Sequence, residues 1–227
     1  IDTANLKSIS EIRNFDLEAQ VKPLYSADLP YHNFQHALDT INAAEHITRR
    51  CLEEGIRVDH RVVYYALLFH DAGFSEDHLG LGFETKEAYS ADIAANMLER
   101  IGIGRKIIEK VVAAILSTHK DASFVTVEQK AVRAADLSGL AAPCDVFREN
   151  TANLKLEHQY FTGENLTWPQ WVKSANRTIR FYLSQEIRLT SYFVNEHGES
   201  AFHQAVRENL ERLVAEMNET QDSIVDS

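Results

Sequence analysis

The chain has 227 residues, is 44% hydrophobic and contains only nine glycines and four prolines, which allows one sizeable core. Its 34 acidic and 23 basic residues give a net charge of −11, which disfavours binding to a nucleic-acid polymer. The distant cysteines Cys51 and Cys144 exclude a disulfide framework, and no apolar run of about 18 residues or signal-like N-terminus is present, so we expect a cytoplasmic protein without membrane insertion.

The first two predicted helices lead to a pair of histidines. Residues 4–29 predict an amphipathic helix of uncertain extent, with one apolar side formed by Leu6, Ile9, Ile12 and Phe15 or Leu17. A second helix follows Pro30, includes the stretch Tyr31-His32-Asn33-Phe34-Gln35-His36-Ala37 and runs to about Glu54 before Gly55. If both residues are helical, His32 and His36 lie on the same face of the helix. The alternative is that His32 lies in the turn before the helix.

The third predicted helix, residues 60–71 with Asp59 as its cap, carries an adjacent His70 and Asp71. Its apolar positions recur every four residues, and this spacing continues to His70 through Val58, Val62 and Ala66. An imidazole and a carboxylate are costly to bury unless they form hydrogen bonds, an ion pair or bonds to a metal. The pair therefore predicts either a satisfied core histidine or a buried polar site.

A glycine-containing loop at residues 72–84 lies beside this pair, and three further helices follow it. The first begins after Thr85 and places Glu87 at the edge of its apolar face. The second, about residues 104–119, predicts that His119 continues an apolar stripe. The third begins with a capping box of Thr126 and Gln129 and turns Asp136 inward.

Two or three C-terminal helices are predicted, at about residues 144–161, 168–190 and 199–218. Together with the absence of an alternating strand pattern, they favour an all-α chain in one domain over residues 1–227, with a helical extension at about 143–218. Their aromatic residues alternate with cations that could bind a phosphorylated, nucleotide-like ligand or simply form a solvated face. These cations are Arg148, Lys173, Arg177 and Arg180.

Four helices thus each place a polar group where the helical period calls for an apolar residue. These groups are His36, His70 with Asp71, His119 and Asp136. One such position is commonplace, but four indicate a shared buried site. Imidazoles and carboxylates suit a divalent transition metal such as Fe, Mn, Ni or Zn.

The order His36, His70-Asp71 and a distant Asp136 resembles the signature of the HD superfamily of metal-dependent phosphohydrolases. The resemblance covers about residues 30–140 and implies a core bundle of about five helices. The Tyr-His-Asn-x-x-His-Ala stretch is similar to that of cyclic-nucleotide phosphodiesterases, and Glu87–Ala91 with Thr118-His119 is similar to small bacterial HD proteins described as predicted phosphohydrolases. The resemblance implies that His36, His70, Asp71 and Asp136 bind the metal and that His32 is a general acid.

The function implied by this resemblance is hydrolysis of a phosphate ester of a nucleotide or related small molecule by a metal-activated water, with His32 and Asp71 as catalytic residues. His119 and Glu87 are candidates for a second metal or for the substrate. Binuclear HD enzymes carry extra histidines where this chain has Lys86 and Glu87, and a di-iron oxygenase would need Glu87 or His78 as a further ligand. Two alternatives remain open, an HD-type di-iron oxygenase and a non-catalytic helical binding protein stabilised by a metal. A homodimer is also left open.

Overall fold

The structure is a computed structural model that describes residues 8–225, with side chains described as far as Asn218. Within those residues the chain forms ten α-helices and no β-strand, which confirms the predicted all-α class. The helices are α1 (Ile9–Ile12), α2 (Phe15–Val21), α3 (Phe34–Glu53), α4 (His60–Phe69), α5 (Lys86–Arg100), α6 (Arg105–Leu116), α7 (Val127–Asp136), α8 (Cys144–Thr162), α9 (Trp168–Ser184) and α10 (Ala201–Val225).

The chain divides into two compact units, the first ending at Asp136 and the second beginning at Leu137. Helices α1–α7 belong to the first unit and α8–α10 to the second. The boundary falls close to residue 140, where the sequence predicts that the HD-like core ends. That both units form one domain stays a prediction. None of the helices in residues 8–225 combines the length and apolar character that crossing a bilayer requires.

Helix α4 is the centre of the first unit. It contacts α1, α2, α3, α5, α6 and α7. Every residue of α4 except Arg61 is buried, as expected for a helix that is apolar on every side. The predicted stripe through Val58, Val62 and Ala66 is buried as well. This stripe belongs to a helix that is buried on all sides, and His70 follows directly after that helix in the core.

The predicted helix starts are confirmed by their side-chain caps. Asp59 accepts a hydrogen bond from the backbone N–H of Arg61 at 3.1 Å, and Thr85 accepts one from Ala88 at 3.0 Å. The predicted capping box of Thr126 with Gln129 opens α7, and a second reciprocal capping box, formed by Thr167 with Gln170, opens α9.

The N-terminal region differs from the single helix predicted for residues 4–29. Arg13 and Asn14 leave the helical conformation, and the Asn14 side chain accepts a hydrogen bond from Leu17 N at 3.0 Å to start α2. Contacts with α4 stabilise the break, because Arg13 pairs with the buried Glu18 at 2.7 Å and Tyr64 on α4 donates to Glu18 at 2.9 Å. Leu17 is buried, whereas Phe15 is 67% exposed. The predicted apolar residue Leu6 lies outside the described residues.

The helix predicted to reach His119 ends at Leu116. The hydroxyls of Ser117 and Thr118 donate to the carbonyls of Ala114 and Ile115 at 2.6 Å and 2.8 Å, which offers the backbone an alternative to continuing the helix. His119 therefore lies in the turn beyond α6 and is only half-buried, instead of continuing the apolar stripe.

The second unit is held together by contacts between side chains and backbone carbonyls. Gly163 ends α8 with a φ of 74°, a left-handed conformation that favours glycine. The indole N–H of Trp171 on α9 donates to the carbonyl of Thr151 on α8 at 2.8 Å. The amide of Asn209 on α10 donates to the carbonyls of Leu140 and Ala142 at 2.9 Å and 2.8 Å.

Candidate metal centre

Four predicted ligands come together within the first unit. His36 lies on α3, His70 and Asp71 follow directly after α4, and Asp136 ends α7. The Nε2 atom of His36 lies 3.7 Å from Oδ2 of Asp71 and 3.5 Å from Oδ1 of Asp136. The Nε2 atom of His70 lies 3.0 Å and 3.3 Å from the same two oxygens. We refer to these four residues as the ligand cluster.

The nitrogen–oxygen distances within the ligand cluster are of the size expected around a single divalent ion. Ligand atoms that each lie about 2.1 Å from one ion are about 3.0 Å apart at right angles and about 3.4 Å apart at tetrahedral angles. The two distances from His70 fall within this range, and the two from His36, 3.5 and 3.7 Å, lie slightly above it. One ligand atom each from His36, His70 and Asp71 lies within 4.8 Å of the other two, whereas Asp136 does not join this group of three.

The surroundings of His70 also fit a metal ligand. Its Nδ1 lies 2.8 Å from the carbonyl oxygen of Leu67, and because a carbonyl only accepts hydrogen bonds, Nδ1 must carry the proton. In the neutral ring, the Nε2 lone pair then faces the two carboxylates, and this fully buried atom makes no well-aligned hydrogen bond. A lone pair and two anionic oxygens need a positive charge between them. A hydrogen bond from the other ring nitrogen to a carbonyl is also the usual arrangement of a metal-binding histidine.

The shifted pKa values have the same electrostatic origin. Burial lowers the pKa of His70, but the charges of Asp71 and Asp136 outweigh burial and raise it well above its ordinary value. Burial raises the pKa of Asp71, but the facing His70 outweighs it and lowers that pKa to about 2. The pKa of Asp136 is also lowered, because His70 and His36 outweigh its burial. The cluster therefore retains two carboxylates at neutral pH, and a proton or a metal ion can neutralise them.

Asn33 sets the position of His36. Its Oδ1 accepts a hydrogen bond from the His36 backbone N–H at 3.1 Å and caps α3, while its Nδ2 donates to the carbonyl of Leu29 at 2.9 Å. The asparagine of the Tyr-His-Asn-x-x-His stretch is thus the N-cap residue of α3. His36 lies in the first turn of α3, and His32 lies before the helix.

His32 borders the ligand cluster without belonging to it. Its ring centroid is 5.9 Å from that of His36, in an edge-to-face arrangement, and 4.9 Å from that of Tyr31. One face of its ring stacks on Phe74 at 3.8 Å between centroids, with an angle of 15° between the planes. His32 is half-buried, so a ligand bound at the cluster could reach it.

Tyr25 supports the end of α4, a role for which the sequence gives no local signal. It is 6% exposed, and its hydroxyl donates to the carbonyl of Leu68 at 2.9 Å. Burial raises the pKa of this phenol well above its ordinary value, and the charge of Asp71 adds to the effect. Tyr25 therefore stays protonated and can keep donating to the turn that carries His70 and Asp71.

Gly73 allows the turn after Asp71 to approach α5 closely. Its backbone N–H donates to Oγ of Ser90 at 3.0 Å, and a Cβ at this position would lie 2.5 Å from Cδ1 of Tyr89. Tyr89 and Ser90 belong to the segment Glu87–Ala91, so part of that motif packs against the His-Asp turn. Nothing in the sequence of this motif indicates that contact.

Arg133 is a buried charge that the helical period did not reveal. It is 1% exposed and lies one turn before Asp136 on α7. Its guanidinium donates to four successive carbonyls in the turn after α6, and these contacts tie that turn to the helix that carries Asp136. The acceptors are Ser117 at 3.1 Å, Thr118 at 3.0 Å, His119 at 2.9 Å and Lys120 at 3.3 Å.

The candidates for a second metal or for the substrate lie outside the ligand cluster. Nδ1 of His119 accepts a hydrogen bond from the backbone N–H of Asp121 at 3.3 Å. Among the described residues, neither His119, Glu87 nor His78 joins a group of three metal-binding side chains. The structure therefore brings together one set of ligands from the sequence-predicted residues.

The predicted cations of the C-terminal helices all lie in the second unit. Arg148 pairs with Glu216 at 2.7 Å and lies 5.7 Å from the ring of Trp168. Arg180 donates to Oδ1 of Asn176 at 2.9 Å. Lys173 and Arg177 are exposed on α9. Their role in substrate binding stays a prediction.

Comparison with known proteins identifies no family for this chain, because neither a protein-family model nor a curated protein matches it.

Proposed function

We propose that this chain is a metal-dependent phosphohydrolase that cleaves a phosphate ester of a nucleotide or a related small molecule. The observation that carries the proposal is the ligand cluster, in which each of two imidazole nitrogens lies 3.0–3.7 Å from both of two carboxylate oxygens. The resemblance of the same four residues to the HD signature supports it. One ion per chain is proposed, because His119, Glu87 and His78 join no second ligand group among the described residues.

The donor set favours Fe, Mn, Ni or Zn, and such an ion, when bound, offsets phosphate charge and acidifies a water ligand. The chain itself would contribute His36, His70, Asp71 and Asp136 as ligands. The hydrogen bond from His70 to Leu67 would keep the His70 ring in the metal-binding tautomer. The low pKa of Asp71, about 2, would keep its carboxylate charged over the physiological range.

His32 would supply the proton that the leaving oxygen needs. Its position beside His36 but outside the ligand cluster supports a role separate from coordination. A proton donor contributes about 10²–10⁴ in rate, and most of all when the leaving group is strongly basic. An alkyl phosphate should therefore depend on His32 much more than p-nitrophenyl phosphate does.

Metal analysis with phosphate release tests the proposal. The protein is reconstituted anaerobically with each of the four metals, and bound metal and turnover of nucleotide esters and p-nitrophenyl phosphate are measured. We expect about one ion per chain, its loss in His36→Ala, and its retention in His32→Ala with at least about 10²-fold slower nucleotide-ester turnover. His197→Ala is the matched control, because His197 is exposed and lies in the second unit.

Each contrary result has a distinct meaning. Less than about a tenth of an equivalent of metal after reconstitution would refute the metal centre. Bound metal without hydrolysis of any ester would leave the non-catalytic binding protein, and consumption of oxygen would indicate the oxygenase. Loss of metal in His32→Ala would make His32 a ligand, and equal losses on both substrates would make it a positioning residue.

A further inference from the structure

Phe74 forms the middle layer of a three-part stack beside the ligand cluster. The His32 ring lies on it at 3.8 Å between centroids and is inclined by only 15°. Nζ of Lys86 lies 3.6 Å from the centroid of the same Phe74 ring. An imidazole and an ammonium that both lie less than 4 Å from the Phe74 centroid would overlap if they were on the same face of the ring. His32 and Lys86 therefore cover opposite faces of Phe74.

The stack is anchored to the first turns of α5. Lys86 is the first residue of α5, which Thr85 caps. Gly73, which immediately precedes Phe74, donates to Ser90 on the same helix and touches the Tyr89 ring. The backbone of the loop and the ring of Phe74 are thus fixed to one element, and His32 stacks on that fixed ring from the turn before α3. Stacked rings and an ammonium over an aromatic face are both favourable contacts.

We propose that Phe74, backed by Lys86, is the positioning residue that holds the His32 imidazole beside the metal ligands. The role as general acid rests on the proposed function, whereas the stack itself does not. The turn before α3 leaves the His32 side chain several rotamers, and the flat face of Phe74 selects one. A general acid works only when its proton is within hydrogen-bond reach of the leaving oxygen, so this selection supports turnover.

The first experiment measures the stack in the metal-free protein. Protons of a ring stacked on Phe74 feel its ring current, so the His32 imidazole protons should resonate upfield of those of the exposed His197 in the NMR spectrum. His32→Ala assigns the signals. We expect Phe74→Leu to change the His32 shifts downfield, leaving only the contribution of the neighbouring Tyr31 ring, and Phe74→Tyr, which keeps the ring, to preserve them. A wild-type spectrum without the shift would overturn the proposal, whatever the activity.

The second experiment measures turnover in the reconstituted protein. We expect Phe74→Leu to keep its metal and to lower kcat for an alkyl phosphate ester by about ten- to a hundredfold, with a much smaller loss on p-nitrophenyl phosphate. Phe74→Tyr should restore kcat. Lys86→Met should give a smaller loss with the same dependence on the leaving group. Leu79→Ala is the control, because Leu79 lies in the same loop and is 68% exposed.

The outcomes separate the two proposals. Unchanged kcat in Phe74→Leu, with the Phe74 ring-current contribution lost, would overturn the positioning role and leave the hydrolase intact. Equal losses on both substrates would also overturn it, because they would show general damage to the site. If wild-type protein hydrolyses no ester, the proposed function fails and the NMR result alone decides whether Phe74 holds His32. Should Phe74→Leu not fold, Lys86→Met is compared with wild type instead, and equal kcat values of the two proteins on the alkyl phosphate ester would overturn the proposal.

Discussion

Arg133 is the buried residue whose replacement should reveal most about how the first unit is held together. Arg133→Met keeps much of the side-chain length and removes the guanidinium, so the four carbonyls after α6 lose their donor. Ser117 is buried, and its carbonyl would stay without a partner, whereas Thr118, His119 and Lys120 are partly exposed and can regain water. The expected loss in the free energy of unfolding is therefore larger than that of one unpaired carbonyl and smaller than that of all the guanidinium hydrogen bonds together.

The magnitude follows from the donors. Nη1 carries two hydrogens and Nη2 supplies at least one more, so about three hydrogen bonds from a charged group are lost, at about 1.5–3 kcal/mol each before solvent compensates. Rehydration of three carbonyls and relief of the cost of burying a guanidinium offset part of this loss. We expect Arg133→Met to lower the free energy of unfolding by about 3 kcal/mol, which corresponds to about 6–12 °C in melting temperature for a chain of this size.

Urea unfolding followed by far-UV circular dichroism measures this loss. Trp168 and Trp171 both lie in the second unit, so tryptophan fluorescence reports separately on that part of the chain. Lys106→Met is the matched control, because it removes an exposed cation from α6 and should cost less than about 0.5 kcal/mol. If Arg133→Met costs no more than Lys106→Met, the guanidinium does not stabilise the turn and the reasoning is refuted.

Two further substitutions test how the ligand cluster is held. Asn33→Ala removes the cap of α3 and should cost about 1 kcal/mol, and it should weaken metal binding because His36 loses its backbone partner; unchanged affinity by calorimetry would contradict this. Gly73→Ala places a Cβ against Tyr89 and should cost about 1–3 kcal/mol. Adding Tyr89→Ala to Gly73→Ala should recover part of that loss in a double-mutant cycle, and strict additivity of the two losses would argue against the contact.

The elements around the site could be predicted because their signals are local. Asp59, Thr85 and Thr126 each stand where a capping side chain meets the start of an apolar period, and the structure places helix starts at all three. The ligand cluster followed from polar groups at apolar positions, since His36, His70 and Asp136 violate the period of three different helices. The break at Arg13 has one local signal, the cap that Asn14 provides for α2, but it also depends on the contact between Glu18 and Tyr64, which are 46 residues apart in the chain.

The supporting residues could not be predicted because their partners are distant or are backbone atoms. Tyr25 donates to a carbonyl 43 residues away, and no side-chain pattern identifies that acceptor. Arg133 has the charge of a solvent-exposed residue but lies in the core because it satisfies a turn 13–16 residues earlier. His119 was misplaced for a related reason, because the hydroxyls of Ser117 and Thr118 end α6 before it. Helical periodicity thus does not predict side chains whose partners are backbone atoms.

The different positions of His32 and His36 follow from where helix α3 begins. Asn33 accepts from the backbone of His36, the third residue of the helix, so the hydrogen bond that starts α3 also holds the backbone of His36. A helix that began one residue later would shift His36 by about 100° around the helix axis relative to the cap. His32 lies on the other side of that boundary, where the helical period does not constrain it and stacking on Phe74 does. One asparagine therefore assigns one histidine to the rigid ligand cluster and leaves the other to be oriented by the loop after Asp71.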